Sequence, residues 1–239
     1  MPNSPKTIAV FAPHPDDETL ACGGTVILET RKGNNVHIVI MTDGRNSHKT
    51  TPDTFPKPGQ EEIARIRHNE ALRAAKLLGV GGRGLTFLNF RDGTLKDNIP
   101  AAARKVGRVL AKIRPTDIYL PSAADAHRDH HAANAIVLAA ASSLKLNADI
   151  YEYIIWTGDE KSGGTMTAPG KTPRNVTVDI SSVLDEKLKA MDAYQSQIGK
   201  MLNSRPQMPV LNEQFVARFR QPVERFLRYK MADGKVNTK

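Results

Sequence analysis

Thr7–Phe11 (TIAVF) and Val36–Met41 (VHIVIM) are short β-branched, apolar runs of the kind that a strand buried on both faces requires. Leu85–Phe90, Asp117–Leu120 (DIYL) and Ile150–Trp156 repeat the pattern, and Asn175–Ile180 alternates Val176, Val178 and Ile180 as a half-buried strand does. Between these runs the apolar positions recur at helical spacing. Thr19–Lys32 is stopped by Gly33, and Gln60–Leu78 carries Ile63, Ile66, Leu72, Ala75 and Leu78 before Gly79. Ile99–Ile113 is closed by Pro115, Ala132–Leu146 is alanine-rich, and a helix capped at Ser181 or Ser182 is expected to run to about Ile198. A last helix and strand are expected around Asn212–Tyr229, with a frayed basic tail after Met231. Asn46–Gly59 and Thr157–Pro173 read as long loops, the second mobile and rich in glycine and proline.

Strands alternating with helices at crossover spacing predict parallel βαβ units: an α/β fold with a doubly wound, mostly parallel sheet and helices on both faces. Neither a repeat nor a shift in composition divides the chain, so residues 1–239 are read as one domain. With strand order 3-2-1-4-5, the first and fourth strands are neighbours where the order reverses, and ligands of such sheets bind there.

Composition narrows the class. The 239 residues are 40% hydrophobic and 25% charged, as in a globular protein, and no apolar run is long enough to span a bilayer. Met1–Lys6 leads straight into the first strand and leaves no room for a signal-peptide core, so a cytoplasmic location is expected. A single cysteine, Cys22, excludes an intrachain disulfide framework and a cysteine-based zinc ribbon. The formal net charge is +9, but the basic residues are dispersed and only 5% of residues are aromatic. That pattern describes a solvated surface rather than a nucleic-acid footprint.

The chemistry is concentrated in two clusters. His14-Pro15-Asp16-Asp17-Glu18 follows the first strand and crowds carboxylates against an imidazole, a repulsion that a divalent cation removes. Taken alone, the same turn is also a helix cap. Asp125-Ala-His127-Arg-Asp129-His130-His131 follows the fourth strand, at the position the topology brings beside the first cluster. Three protein ligands and a water make a catalytic metal site, with a carboxylate as base and a further imidazole for a developing oxyanion. Residue types alone leave open which aspartate binds metal and which acts as base, and whether His130 or His131 is the ligand.

At these residues the sequence resembles the PIG-L/LmbE-like family of zinc-dependent N-deacetylases. The resemblance is carried by Ala12-Pro-His-Pro-Asp-Asp-Glu18 with Gly23-Gly24, Thr42-Asp43-Gly44, Arg67-x-x-Glu70, Phe87-Leu88 before Asp92-Gly93, and His127-x-Asp-His130. It continues into Val178-Asp179-Ile180-Ser181, Lys187 and Tyr194-x-Ser196-Gln197. It implies a Rossmann-like fold and removal of acetyl groups from N-acetylglucosaminyl compounds. By the same resemblance, His14, Asp17 and His130 would bind one Zn2+ and Asp16 would be the general base. His127 would polarise the carbonyl, oriented by Asp129, and Arg67 and Asp92 would face sugar hydroxyls. The chain departs from the family at Arg128, where many members have Pro, and at Pro13, where Ala is common.

Other residues read as structural. His37 lies in an apolar strand, and His48 and His68 are assigned no role. His131 points about 100° away from His130 on a helix. Cys22 lacks a dedicated base, and Arg67 and Glu70 have the spacing of a helix ion pair. The function expected is zinc-dependent deacetylation of an N-acetylated sugar, a small-molecule substrate, by a chain that can form a homo-oligomer. The alternatives are hydrolysis of another amide, such as a thiol-sugar conjugate, or a basic metal-containing protein that binds nucleic acid or acidic glycans.

Overall fold

Alternation along the first strand sets the layering. In β1 (Thr7–Ala12), Ile8, Val10 and Ala12 enter one hydrophobic cluster while Ala9 and Phe11 enter the other. The computed structural model describes residues 4–48, 58–157, 173–202, 205–232 and 235–236. After β1 come α1 (Asp17–Arg31), β2 (Asn35–Thr42), α2 (Gln60–Leu77), β3 (Leu85–Phe90), α3 (Ile99–Ile113), β4 (Asp117–Pro121), α4 (Arg128–Ser143) and β5 (Ala148–Tyr153). The remainder is β6 (Arg174–Asp179), α5 (Leu184–Met191), α6 (Gln195–Ile198), β7 (Met201–Leu202), β8 (Arg205–Pro206), α7 (Glu213–Ala217), β9 (Val223–Ala232) and β10 (Lys235–Val236).

β3-β2-β1-β4-β5 run parallel in the expected order, and β9 then pairs antiparallel with β5. β6 and β10 pair with β9 in turn, completing an eight-stranded mixed sheet. α1, α2 and α5 cover one face with Leu20, Val26, Ala74 and Met191, while α3 and α4 cover the other with Val106, Leu110, Ile136 and Val137. The chain is therefore doubly wound, and the winding reverses between β1 and β4. No helix among the described residues is long and apolar enough to cross a membrane.

The structure corrects several expected elements. The helix expected from Ser181 to Ile198 is a 3-10 turn at Ser181–Val183, then α5, then α6. It breaks before α6 because Tyr194 turns inward, 2% exposed, and its hydroxyl donates to Glu18 Oε1. α4 begins one turn before the expected Ala132, so His130 lies within the helix and His127 is its N-cap. The expected frayed tail is in part a hairpin, with Lys235 and Val236 paired to Ala232 and Met231 by backbone ladder bonds that a charge-rich sequence does not advertise. Most of the two long loops, residues 49–57 and 158–172, lies outside the described residues.

One buried ion pair ties the antiparallel end to the parallel half. The Glu224 carboxylate accepts from the N–H groups of Gly24 and Thr25 at 2.9 and 2.8 Å, from the Thr25 hydroxyl at 2.6 Å, and from Lys187 Nζ at 2.7 Å. Lys187 and Glu224 are 1% and 3% exposed. Gly24 is required there, since a Cβ would lie 2.6 Å from Ile180 Cγ2. Removing one partner of such a pair strands the other, so Glu224→Ala is expected to lower unfolding stability by about 3–5 kcal/mol, read as a shift in urea midpoint at unchanged slope. Substitutions at the exposed Lys32–Glu29 pair should change stability by less than about 1 kcal/mol.

Candidate metal centre

The turn after β1 is held from three sides. Thr42, at the end of β2, donates to the Pro13 carbonyl through its N–H at 2.9 Å and its hydroxyl at 2.8 Å. Arg67 of α2 reaches the Pro15 carbonyl through Nη2 and the Gly44 carbonyl through Nη1. Gly44 has φ 64°, and a Cβ there would collide with the Arg67 guanidinium, so the glycine after Thr42-Asp43 is what lets Arg67 in. Within this brace Asp16 adopts φ 124°, a conformation that costs a non-glycine residue roughly 1–3 kcal/mol. Its carbonyl accepts the N–H groups of Thr19 and Leu20, and its Oδ2 lies 3.0 Å from Arg67 Nη2.

Because α1 and α4 leave the sheet on opposite faces, the turns that start them meet in the crevice between β1 and β4. Three atoms converge there. His14 Nδ1 lies 3.2 Å from Asp17 Oδ2, His130 Nε2 lies 3.2 Å from the same oxygen, and the two ring nitrogens are 3.3 Å apart. A tetrahedral cation with bonds of about 2.0–2.1 Å separates its ligands by roughly 3.3 Å, so the triangle fits a three-ligand metal site. His14, Asp17 and His130 are 8%, 2% and 0% exposed.

Two other groupings bring ligand atoms within 4.8 Å, namely His14 with His127 and His130, and His14 with Asp92 and Asp129. The second surrounds the far nitrogen of His14, whose Nε2 is 3.3 Å from Asp92 Oδ1 and 3.5 Å from Asp129 Oδ2. His130 is backed in the same way, with Nδ1 3.0 Å from Asp125 Oδ2. Carboxylates behind both rings fix the tautomers that leave His14 Nδ1 and His130 Nε2 facing Asp17. His131 is exposed on α4, so His130 is the histidine that enters the crevice.

Asp129 differs from its expected contact. Its carboxylate accepts from the N–H groups of Gly93 at 2.7 Å and Leu95 at 3.3 Å and faces His14, while its link to His127 is a backbone N–H donated to Nδ1 at 3.2 Å. Asp92 likewise faces His14, and its Oδ2 accepts the Asn46 N–H at 2.9 Å. Arg67 is committed to Asp16 and two carbonyls, and Glu70 bonds Ser196 instead of pairing with Arg67. Both Arg67 and Asp92 line the cavity, but each is engaged with the turn after β1.

Charge explains these contacts. Burial alone would lower the His14 and His130 imidazoles, but the neighbouring carboxylates outweigh it, raising His14 well above its ordinary value and His130 to about 9. Burial would raise Asp17, yet the imidazoles hold it well below the usual carboxylate range. Asp16 is pushed up to about 7 by burial, with Arg67 pulling the other way. His127 is pushed down to about 4 by burial and by the charges of His14 and His130. In effect, protons on two imidazoles stand where a cation would.

Above the three atoms opens a cavity of about 730 Å³, large enough for a small-molecule substrate. Asp16, Asp17, His127, Arg67 and Asp92 line it, together with the exposed Arg91 and Arg128. Asp125, Trp156 and Phe215 also belong to this neighbourhood. Asp125 was visible in the second cluster, but nothing local marked the two aromatic residues.

Residues 9–141 match the PIG-L family, described as GlcNAc-PI de-N-acetylase. The chain is 30% identical over 199 residues to a probable N-acetyl-alpha-D-glucosaminyl L-malate deacetylase 2 of Bacillus cereus, covering 82% of this chain and 85% of the relative. It is 29% identical over 198 residues to the diacetylchitobiose deacetylase of Thermococcus kodakarensis, covering 82% and 71%. Among solved structures, the N,N'-diacetylchitobiose deacetylase of Pyrococcus horikoshii superposes with a TM-score of 0.63 at 24% identity, over 83% of this chain and 72% of that one, a likeness of fold. The family match and the relatives' names make the chain a hydrolase of the deacetylase type. The chain belongs to the PIG-L family.

An ion at this triangle needs His14 Nδ1 and His130 Nε2 free of protons, and the surrounding carboxylates make both imidazoles hold protons more tightly than a free one. Titration with a divalent transition-metal ion at pH 7 is therefore expected to release between about one and two protons per chain, with affinity rising roughly tenfold per pH unit for each proton displaced. The release should decline as the pH passes about 9, where His130 loses its own proton. Calorimetry in buffers of different ionisation enthalpy measures it, and proton-neutral binding at pH 7 would show that both imidazoles are already neutral before the ion arrives.

Proposed function

We propose that this chain is a zinc-dependent hydrolase that removes the N-acetyl group from an N-acetylglucosamine-containing sugar or small glycoconjugate. The observation that carries the reading is the convergence of His14 Nδ1, Asp17 Oδ2 and His130 Nε2 at 3.2–3.3 Å beneath a cavity also lined by Asp16 and His127. Two imidazoles and one carboxylate form a three-ligand set suited to Zn2+ with a position left for solvent. When bound, the ion supplies Lewis acidity, which makes a water acidic near neutral pH and polarises a carbonyl. The names of the relatives support an acetylated amino sugar as the substrate class.

The chain's own residues divide the remaining work. Hydrolysis adds water across the amide C–N bond and yields acetate and a free amine, so a proton must leave the water and one must reach the nitrogen. Asp16, raised by burial to about 7, is poised to accept the first near neutral pH, and Arg67 fixes its carboxylate. The same acid can hand the proton on to the amine. His127 stays neutral, and because Nδ1 accepts the Asp129 N–H, its proton is on Nε2, available to donate to the carbonyl oxygen as negative charge develops. Asp125, Asp92 and Asp129 hold the rings in place.

Purified protein supplied with Zn2+ is expected to release acetate from N-acetylglucosamine or its short oligomers. The absence of release from any member of a broad amide panel would refute the assignment, whereas cleavage of a different amide would move the substrate class. Asp16→Asn should retain metal and lose about 10²–10⁴-fold in kcat. His127→Ala should retain metal and lose about 10²–10³-fold. His14→Ala and Asp17→Ala should lose metal and turnover together. Loss of metal from Asp16→Asn would reverse the roles given to the two aspartates.

A further inference from the structure

The cavity has two kinds of wall. Asn46, Ser47, Thr94 and Gln197 offer polar groups, whereas Ile155, Trp156, Val210, Leu211 and Phe215 contribute apolar surface. The catalytic turn uses none of the apolar residues. Trp156 and Phe215 are half-buried, with ring centroids 4.4 Å apart and planes inclined by 34°. Phe219 packs behind Phe215 at 5.4 Å. The Arg218 guanidinium lies 5.3 Å from the Phe215 ring centre and 5.4 Å from that of Phe219, and it donates to the Ile155 carbonyl at 3.3 Å. Rings held in this way form a rigid platform before any ligand arrives.

The platform is joined to the metal ligands by a single carboxylate. Asp125 Oδ2, beside His130 Nδ1 at 3.0 Å, also accepts the N–H groups of Ile155 at 2.8 Å and Trp156 at 3.1 Å. Asp125 Oδ1 accepts the His127 N–H at 2.9 Å. The Trp156 carbonyl accepts the Ala126 N–H at 2.9 Å, and the indole centroid is 6.4 Å from that of His127. Aromatic wall, carbonyl-polarising imidazole and metal ligand therefore keep a fixed mutual geometry.

We propose that the Trp156–Phe215 wall is the subsite for the group attached to the acetylated amino sugar, and that this group is a flat, apolar one of the aryl class. The inference rests on the deacetylase reading for the identity of the sugar. A pyranose needs partners for several hydroxyls, and Asn46, Ser47, Thr94 and Gln197 are the lining residues that offer them. Ile155, Val210, Leu211 and Phe215 offer side chains that form no hydrogen bonds, so a second sugar could use them only through a C–H face, with its hydroxyls left to solvent. An aryl group loses nothing there and gains ring stacking with two aromatic side chains.

Trp156 is the only tryptophan in the chain, so its emission reports on this wall alone. The experiment uses zinc-loaded Asp16→Asn protein, which blocks turnover, titrated with phenyl and with methyl N-acetyl-D-glucosaminide, both anomers of each. Saturable quenching is expected, with the phenyl compound bound about tenfold more tightly than the methyl one. Adding Phe215→Leu to that protein should reduce the preference to about twofold, and adding Trp156→Ala should do the same by calorimetry, with circular dichroism and zinc content unchanged. Equal affinities, an undisturbed tryptophan, or a preference that survives both substitutions would overturn the subsite. If the preference appears but wild-type protein releases acetate from neither compound nor from any member of the amide panel, the subsite stands and the deacetylase reading fails. Release at equal kcat/KM from both compounds would retain the deacetylase and remove the subsite.

Discussion

Buried negative charge is the constraint to which the rest of the site answers. Asp16, Asp17, Asp92, Asp125 and Asp129 are each at most 7% exposed, and the permanent cation among them is Arg67. Five carboxylates cannot stay ionised around one guanidinium without further positive charge or dense hydrogen bonding. The structure uses both. Two imidazoles are driven to hold protons, and Asp125 and Asp129 between them accept the N–H groups of His127, Ile155, Trp156, Gly93 and Leu95. The same carboxylates thereby tie together the turns that follow β3, β4 and β5. A divalent cation in place of the two protons would neutralise the centre while leaving those backbone bonds undisturbed.

The parallel half of the fold was legible because its signals are local. Each of the first five strands is an apolar run bounded by glycine, proline or a charged turn, and the strand order then follows from crossover rules. The two chemical clusters were legible for a related reason: both lie directly beyond strand ends, where the doubly wound topology places ligands. The antiparallel end was less legible. β9 pairs with β5, β6 and β10, and pairings across such sequence separations leave no periodic trace in any one segment. The break before α6 is of the same kind, since it depends on Tyr194 meeting Glu18 from 176 residues away.

Within the site, residue types were easier to read than residue partners. Arg67 and Glu70 have the spacing of an ion pair on one helix, yet burial directs Arg67 to Asp16 and Glu70 to Ser196. Asp129 is two positions from His127, yet its carboxylate is drawn to Gly93 and His14. In both cases a buried charge takes whichever partner most fully replaces its lost hydration, and proximity in sequence does not decide that. Trp156 and Phe215 were invisible for a different reason: scattered aromatic residues read as core until the fold brings them to a cavity wall.

The two helix starts make this crevice suited to opposite demands on its ionisable groups. α1 and α4 both begin at the site, so the positive ends of both helix dipoles point at it, and Asp17, Glu18 and Asp129 lie in their first turns. That field favours ionised carboxylates, which a cation site needs. It also opposes protonation of His127, the N-cap of α4, in the same direction as burial and the His14 and His130 charges. An imidazole kept neutral, with Nδ1 occupied by a backbone N–H, can present one proton to a carbonyl oxygen without adding a second cation beside the metal. Asp16 is the N-cap of α1, with its carboxylate beside Arg67. Burial then raises its carboxyl towards neutrality while that of Asp17, one residue further along, stays ionised. Adjacent aspartates thus acquire different affinities for protons, as the proposed roles of base and ligand require.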